Sequence, residues 1–287
     1  MRGWQLLTAS LLASTLGCQG LVDTDVAYVD CFRSPDGNDV ETFETDEEPL
    51  GAARCWHIDN TQKPAYVRAA DHDLVIHPYA EVGAHWTDEA QAPFFFRTLS
   101  GDFLAIARAE AVSTTPGTDH CLGETEAAGL VLRRRQPLAW TTLLVRPELE
   151  PMAPLELCGD EPASPPAARV LADSFGFDSH VEGVVNGVGE DGETYVALCR
   201  HDNELFYFYR DIGARREAPA LDFKPGFAAL DVGLGPVDVG LTATAEQGAG
   251  TLPEGHFNWL VLQDYADAPP PDGCNGAFER FAYPEEE

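Results

Sequence analysis

Glu124 and Glu126 are the nearest approach in this sequence to a pair of catalytic carboxyl groups. On an extended segment they share one face, and retaining glycosidases place an acid and a nucleophile about 5 Å apart. Acidic residues are abundant, however, with 48 Asp plus Glu in 287 residues, so such pairs arise readily by chance. We interpret both as solvated loop residues. The sequence contains no Gly-x-Ser-x-Gly, His-Glu-x-x-His, phosphate-loop or dinucleotide-binding motif.

Metal-competent side chains occur in two short groups. Residues 71–73, Asp-His-Asp, are the tighter group, but no second element supplies further ligands at metal spacing. Residues 36–39, Asp-Gly-Asn-Asp, offer oxygen ligands for calcium without the register of an EF-hand loop. We interpret both groups as turns. We therefore predict no cofactor, and a structural calcium ion stays open as an alternative.

Aromatic and arginine side chains suggest a different chemistry, the binding of sugars. Sugar rings stack their apolar C–H faces on aromatic rings, while their hydroxyls need polar partners. Tyr207 and Tyr209 share one face of a predicted strand, Trp86 lies in a predicted loop, and Arg133 begins a run of three arginines. These four are the predicted ligand-binding residues. The alternative is that they pack in the core.

The elements that would position these residues are short strands. Segments of alternating apolar and polar residues are bounded by Gly, Pro, Asn or Asp, and no long amphipathic helix is predicted. In residues 237–244, for example, the odd-numbered apolar residues would face a core and the even-numbered ones water. So many short strands predict an all-β sandwich of two antiparallel sheets. The predicted strands are 74–76, 94–96, 103–108, 128–134, 138–146, 179–185, 194–201, 204–210, 237–244 and 257–263.

Several of these segments carry a resemblance to a known family. Ala-Pro-Phe-Phe-Phe at 92–96, Leu-Ser-Gly-Asp-Phe at 99–103, Ala-Gly-Leu-Val-Leu-Arg at 128–133, and Val-Asp-Val-Gly-Leu-Thr-Ala at 237–243 resemble the concanavalin-A-like jelly-roll family of unknown function. Trp140 and Trp259 fit the same pattern. The family is similar to the module that ends some β-xylosidases, and its members occur as bacterial secreted domains. The resemblance implies a jelly roll but no particular activity.

Cys18 ends a short apolar segment that follows Arg2. The segment is shorter than the roughly 20 residues that cross a bilayer, so residues 1–17 are predicted to be a signal peptide. The layout resembles a bacterial lipoprotein leader with Cys18 as the lipidated residue, although Thr15 stands where a leucine is usual. We expect export to the outer membrane or cell surface. An ordinary leader, giving a secreted or periplasmic protein, is the alternative.

The remaining cysteines form an even set spread along the chain, which is typical of exported disulfide-bonded proteins. Three disulfides are expected, and free buried thiols are the alternative. Six cysteines allow 15 pairings. Our preference joins Cys31 to Cys55, or Cys31 to Cys274, because domain termini often lie close together. The predicted disulfide cysteines are Cys31, Cys55, Cys121, Cys158, Cys199 and Cys274.

The net charge of −30 excludes some partners. Nucleic acid and anionic lipid headgroups are repelled by so acidic a protein, so the membrane would be reached through a lipid anchor only. We expect a monomer with an acidic tether at 18–48, a jelly-roll domain at 49–268 with an insertion at 147–178, and an acidic tail at 269–287. The predicted role is non-catalytic binding of carbohydrate or another extracellular polymer. A glycan-active hydrolase of the same fold and a structural or adhesive surface protein are the alternatives.

Overall fold

The computed structural model of the protein describes residues 38–41, 56–59, 66–70, 73–78, 84–87, 92–113, 126–147, 167–188, 193–210, 223–245, 253–257, 260–265 and 272–279. These residues form strands and one short helix. The elements are β1 Asn38–Glu41, β2 His57–Asp59, β3 Tyr66–Ala70, β4 Asp73–His77, β5 Phe94–Leu99, β6 Phe103–Ser113, β7 Ala127–Arg134, β8 Ala139–Pro147, β9 Ala168–Phe175, β10 Glu182–Val188, β11 Glu193–His201, β12 Glu204–Arg210, β13 Phe223–Pro225, β14 Leu230–Asp231, β15 Val237–Thr244, β16 Pro253–Phe257, β17 Leu260–Asp264 and α1 Gly273–Glu279.

The strands of the described residues make two sheets. The seven-stranded sheet has the order β10-β9-β8-β7-β15-β5-β2. The ten-stranded sheet has the path β13-β12-β11-β6-β16-β4-β3, with β14 on β12, and with β17 pairing both β6 and β1. All of these pairs are antiparallel. The predicted fold class, an all-β jelly-roll β-sandwich of two antiparallel sheets, is confirmed.

The main core lies between the two sheets and follows the period of two. On β7 and β15 the inward residues are Leu, Val and Ala, while on β6 they include a row of alanines. Small side chains on one sheet opposite large ones on the other let the two layers interdigitate at native density. Each fully buried Leu or Val contributes about 1.5–3 kcal/mol to folding. The inward residues of these strands are Ala105, Ala107, Ala109, Ala111, Ala128, Leu130, Leu132, Val237, Val239, Leu241 and Ala243.

A second apolar cluster covers part of the outer face of the ten-stranded sheet. Helix α1 places Phe278 against Phe208, with ring centroids 4.9 Å apart, and Cys274 forms a disulfide with Cys199 on β11. The alternative that joins Cys31 to Cys274 is therefore wrong, because Cys274 is already bonded to a strand in the middle of the sheet. Cys18, Cys31, Cys55, Cys121 and Cys158 lie outside the described residues.

Some elements fall where the sequence suggested no regular structure. Strand β1 lies within the segment 18–48 and pairs with β17, and α1 lies within 269–287. Strand β9 lies within the predicted insertion 147–178 and forms a full ladder with β8. Helical segments that could span a membrane are not found in the described part of the chain.

Candidate functional site on the outer face of the seven-stranded sheet

The outer face of the seven-stranded sheet collects the side chains that the core leaves over. On β9, residues 168, 170 and 172 are buried in the core, so Arg169, Leu171, Asp173 and Phe175 point outward. Their neighbours across the ladders follow from the strand register. Trp140 lies opposite Phe175 on β8, and Glu182 lies opposite Asp173 on β10.

A loop covers one half of this face. Trp86 donates a hydrogen bond from Nε1 to Thr242 Oγ1 at 2.9 Å and meets the Phe94 ring edge-on at a centroid distance of 5.2 Å. Trp140 donates from Nε1 to the carbonyl oxygen of Thr87 at 2.6 Å, which holds the loop on the sheet. Trp86 is only 7% exposed as a result. It closes an aromatic cluster instead of offering a ring face to solvent.

Beside this aromatic cluster lies a group of buried charges centred on Asp238. The Asp238 carboxylate accepts hydrogen bonds from Arg133 Nη2 at 3.1 Å and Arg135 Nε at 2.7 Å through Oδ2, and from Thr98 Oγ1 at 2.7 Å through Oδ1. Arg133 also donates from Nη1 to Asp59 Oδ2 at 2.8 Å. The side chains of Arg133 and Asp238 are 8% and 2% exposed. Paired in this way the two buried charges are compensated.

The packing around Arg133 depends on a glycine. The guanidinium carbon lies 5.1 Å from the Phe94 centroid and 5.0 Å from that of Phe96, which is cation–π geometry. Gly240 separates these rings from Arg133 in the sheet register, and a Cβ atom there would lie 1.9 Å from the Phe95 carbonyl oxygen. Only glycine lets β5 approach β15 this closely.

The other half of the face, over β8 to β10, is open. Phe175 is 42% exposed and stacks on Trp140 at a centroid distance of 6.0 Å and an interplanar angle of 21°. Val184 on β10 is 51% exposed. Large apolar side chains that are this exposed on a strand mark a surface able to receive a ligand. We call Phe175, Asp173, Glu182 and Val184 the open face.

Titratable groups lie next to Phe175. Asp173 and Glu182 form a directly opposed carboxylate pair, and such pairs place Cβ atoms about 4.5–5.5 Å apart. Burial raises the pKa of the Asp173 carboxyl, although the hydrogen bond from the Ser174 amide opposes that shift. His180 lies 3.5 Å from Glu182 between Nε2 and Oε2. The open face therefore combines an exposed ring with hydrogen-bonding carboxylates.

The four ligand-binding residues predicted from the sequence do not form one site. Trp86 and Arg133 share the outer face of the seven-stranded sheet but are buried there. Tyr207 lies in the core between the sheets at 1% exposure, where its hydroxyl is 2.8 Å from Thr141 Oγ1 and burial raises its pKa. Tyr209 is half-buried against the same core. The role of Trp86 and Tyr207 as exposed stacking platforms is thus corrected, because both rings are enclosed by neighbouring side chains.

Two further sequence interpretations change with the structure. Glu126, interpreted as a solvated loop residue, is 0% exposed, while Glu124 lies outside the described residues. Asp73 begins β4 instead of belonging wholly to a turn, and its Oδ2 lies 3.4 Å from His256 Nδ1. His256 also contacts Glu254 Oε2 from Nε2 at 3.2 Å. Burial alone would lower the pKa of His256, but the hydrogen bonds from both carboxylates raise it to about 9.

Sequence reasoning missed the open face entirely. Phe175 and Asp173 belong to a segment, 168–175, that alternates buried and exposed residues as a half-buried strand does. That alternation was the available signal. The neighbouring prolines, which favoured an insertion, concealed it.

Known proteins resemble this chain in fold. No protein-family model matches it, and no curated protein matches it in sequence. A xylan beta-1,4-xylosidase from Bacillus halodurans C-125 matches with a TM-score of 0.52 and 12% identity over 81% of this chain and 40% of that one. A variant of the GH43 protein BlXynB from Bacillus licheniformis matches at 0.50 and 13% identity, over 79% and 39%. A functionally unknown protein from Saccharomyces cerevisiae gives 0.47 and 11% over 71% and 94%.

These likenesses concern the architecture. This chain spans about 40% of the xylosidase chain and 39% of the BlXynB chain. At such low identity the two matches with TM-scores of 0.50 or more show a shared β-sandwich fold. They transfer neither an activity nor a site, because one fold hosts many functions.

Proposed function

We propose that this protein is an exported, lipid-anchored surface protein whose β-sandwich binds carbohydrate, without catalysis, on the open face of the seven-stranded sheet. The observation that carries the proposal is the exposed ring of Phe175, held in place by its stack on Trp140 beside two carboxylates. A fixed aromatic ring loses little conformational entropy on binding. The polar groups beside it supply the orientation that sugar hydroxyls need.

The charge of the protein supports a neutral or weakly charged glycan as the ligand. With a net charge of −30, and with Asp173 and Glu182 on the open face, the protein repels polyanions. Carboxylates are good acceptors for sugar hydroxyl groups. The structural likeness to a xylan beta-1,4-xylosidase makes xylan the first polymer to try.

The test is titration of the purified, oxidised protein with xylan and with xylo-oligosaccharides by isothermal calorimetry. We expect Phe175→Ala to weaken binding by about tenfold or more, because removing an anchoring aromatic ring at a binding surface typically costs more than 1 kcal/mol. Phe175→Tyr should retain affinity. Leu234→Ala is the matched control, since Leu234 is 72% exposed but lies in the loop before β15.

The outcomes separate the alternatives. If no neutral polysaccharide binds, and a protein partner is captured instead, the structural or adhesive role replaces the carbohydrate-binding one. If binding occurs and Phe175→Ala behaves like Leu234→Ala, a different surface is responsible.

A glycan-active hydrolase is the second candidate, and one observation favours it. Asp173 and Glu182 face each other across β9 and β10, and the raised pKa of the Asp173 carboxyl is suited to an acid catalyst. Retaining glycosidases use two carboxyl groups about 5–5.5 Å apart. This candidate predicts release of reducing sugar that both Asp173→Asn and Glu182→Gln abolish. Binding without any release supports the non-catalytic proposal.

Export and lipid anchoring are proposed from the sequence around Cys18. Expression in a bacterial host, followed by intact mass measurement of the membrane fraction, should give a chain that begins at residue 18 and carries acyl chains. Cys18→Ser should release the protein from the membrane. An unprocessed chain in the cytosol would contradict this part of the proposal.

A further inference from the structure

A histidine and two aspartates meet at the end of the sandwich where β11 turns into β12. Asp102 immediately precedes β6, His201 is the last residue of β11, and Asp202 follows it in the hairpin turn. One potential ligand atom from each of the three lies within 4.8 Å of the others. His201 Nδ1 is 3.1 Å from Asp102 Oδ2, and His201 Nε2 is 3.9 Å from Asp202 Oδ2.

We propose that these three side chains form a binding site for a divalent transition-metal ion of the zinc type. Zinc binds imidazole nitrogen and carboxylate oxygen at about 2.0–2.2 Å. Two ligands on one ion at those lengths are separated by roughly 3–4 Å, which agrees with both measured separations. Calcium instead takes six to eight oxygen ligands and does not favour imidazole. The site therefore differs from the structural calcium that the sequence left open.

The three ligands come from separate parts of the fold. The loop before β6 is tied to β17 by the hydrogen bond from the Tyr265 amide to the Asp102 carbonyl oxygen, at 2.8 Å. The His201 ring lies against Gly273, the first residue of α1, where an added Cβ would be 3.1 Å from His201 Cδ2. Gly273 precedes Cys274, and Cys274 is bonded to Cys199. A metal ion here would fix the hairpin to the β6 loop, next to the disulfide that holds the helix.

Exposure and charge suit a metal ion that arrives from solvent. The side chain of Asp102 is 12% exposed, that of His201 36%, and that of Asp202 87%, so one side of the site is open to the ion and to completing waters. A cation would also relieve the repulsion between two carboxylates in a protein of net charge −30. The nearby cation Arg200 donates its hydrogen bonds to the carbonyl oxygens of Gly233 and Gly235 and leaves these carboxylates available.

The experiment uses the full oxidised chain after treatment with a chelator. Isothermal calorimetry with zinc chloride should show one saturable site, and calcium chloride should show none. His201→Asn and Asp102→Asn should weaken zinc binding at least tenfold. Zinc at 100 times its Kd should raise the Tm by roughly 5 °C or more in the wild type and by much less in these variants.

Two variants keep the test decisive. Asp202→Asn changes an 87% exposed side chain, so a loss of affinity there cannot be attributed to unfolding. His180→Asn is the control, since His180 contacts Glu182 at the other sheet. Equal zinc affinity in the wild type and in all three site variants would mean an adventitious ion only. That result would leave the group a hydrogen-bonded His–Asp pair and overturn the proposal. Carbohydrate binding plays no part in this test.

Discussion

Asp238→Asn is the substitution whose effect follows most directly from the structure. The change keeps the shape of the side chain but removes the charge that compensates Arg133, which is buried beside it. Hydrogen bonds from Arg133, Arg135 and Thr98 end on this carboxylate. Removing one partner of a buried ion pair costs about 3–5 kcal/mol. Asp59 still holds Arg133 Nη1 at 2.8 Å, so we expect the lower end, about 3 kcal/mol.

Urea unfolding of the oxidised protein measures this loss. With an m-value of about 2–3 kcal/mol/M, the midpoint should fall by roughly 1–1.5 M while m stays constant. Arg135→Gln is the matched control, because Arg135 is 49% exposed in its pair with Asp238 and should cost less than about 1 kcal/mol. A loss below about 1 kcal/mol for Asp238→Asn would refute the idea that this carboxylate compensates Arg133. Equal losses for both variants would refute it as well.

Three further outcomes are expected. His256 has a folded-state pKa of about 9, above the 6.5 of the unfolded chain, so its stabilisation, about 3 kcal/mol, is full below pH 6.5 and is lost as the pH rises through 9; unfolding of wild type and His256→Gln between pH 6 and 10 should therefore converge. Replacing Cys199 and Cys274 by serine should cost about 4 kcal/mol by the chain-entropy relation for a separation of 75 residues, and an unchanged Tm would contradict this. Gly240→Ala should prevent folding or lower the Tm severely, whereas Gly235→Ala, with open space around the added methyl group, should fold normally by circular dichroism.

The fold was predictable because the information lies in short segments. Residues 237–244 alternate as a half-buried strand must, and that strand is observed as β15 in the centre of the seven-stranded sheet. The hairpin at residues 201–204 is local as well, since its two strands follow one another in the chain. Local pattern and tertiary structure agree at these positions.

The candidate site was not predictable, because it depends on register between distant strands. Arg133 and Asp238 are 105 residues apart, and only the pairing of β7 with β15 brings them together. Trp86 was expected to be exposed because loop residues usually are, but its indole nitrogen hydrogen-bonds to Thr242 and its ring closes the aromatic cluster. Phe175 was hidden for the opposite reason, since its segment resembled an insertion.

The disulfide shows a third kind of limit. Even spacing and an even count predicted bridges but could not choose the partners. Cys274 reaches Cys199 because α1 folds over the outer face of the ten-stranded sheet and places Phe278 in the apolar cluster there. That docking is a tertiary event with no signature in the cysteine spacing.

Hydrogen–deuterium exchange with and without xylo-oligosaccharide tests the central claim most directly, because it maps where a glycan contacts the protein. The account predicts new protection in peptides that cover β8 to β10, which carry Trp140, Phe175 and Glu182, with no change on the ten-stranded sheet. Protection confined to the ten-stranded sheet, or none at saturating ligand, would contradict the assignment of carbohydrate binding to the open face.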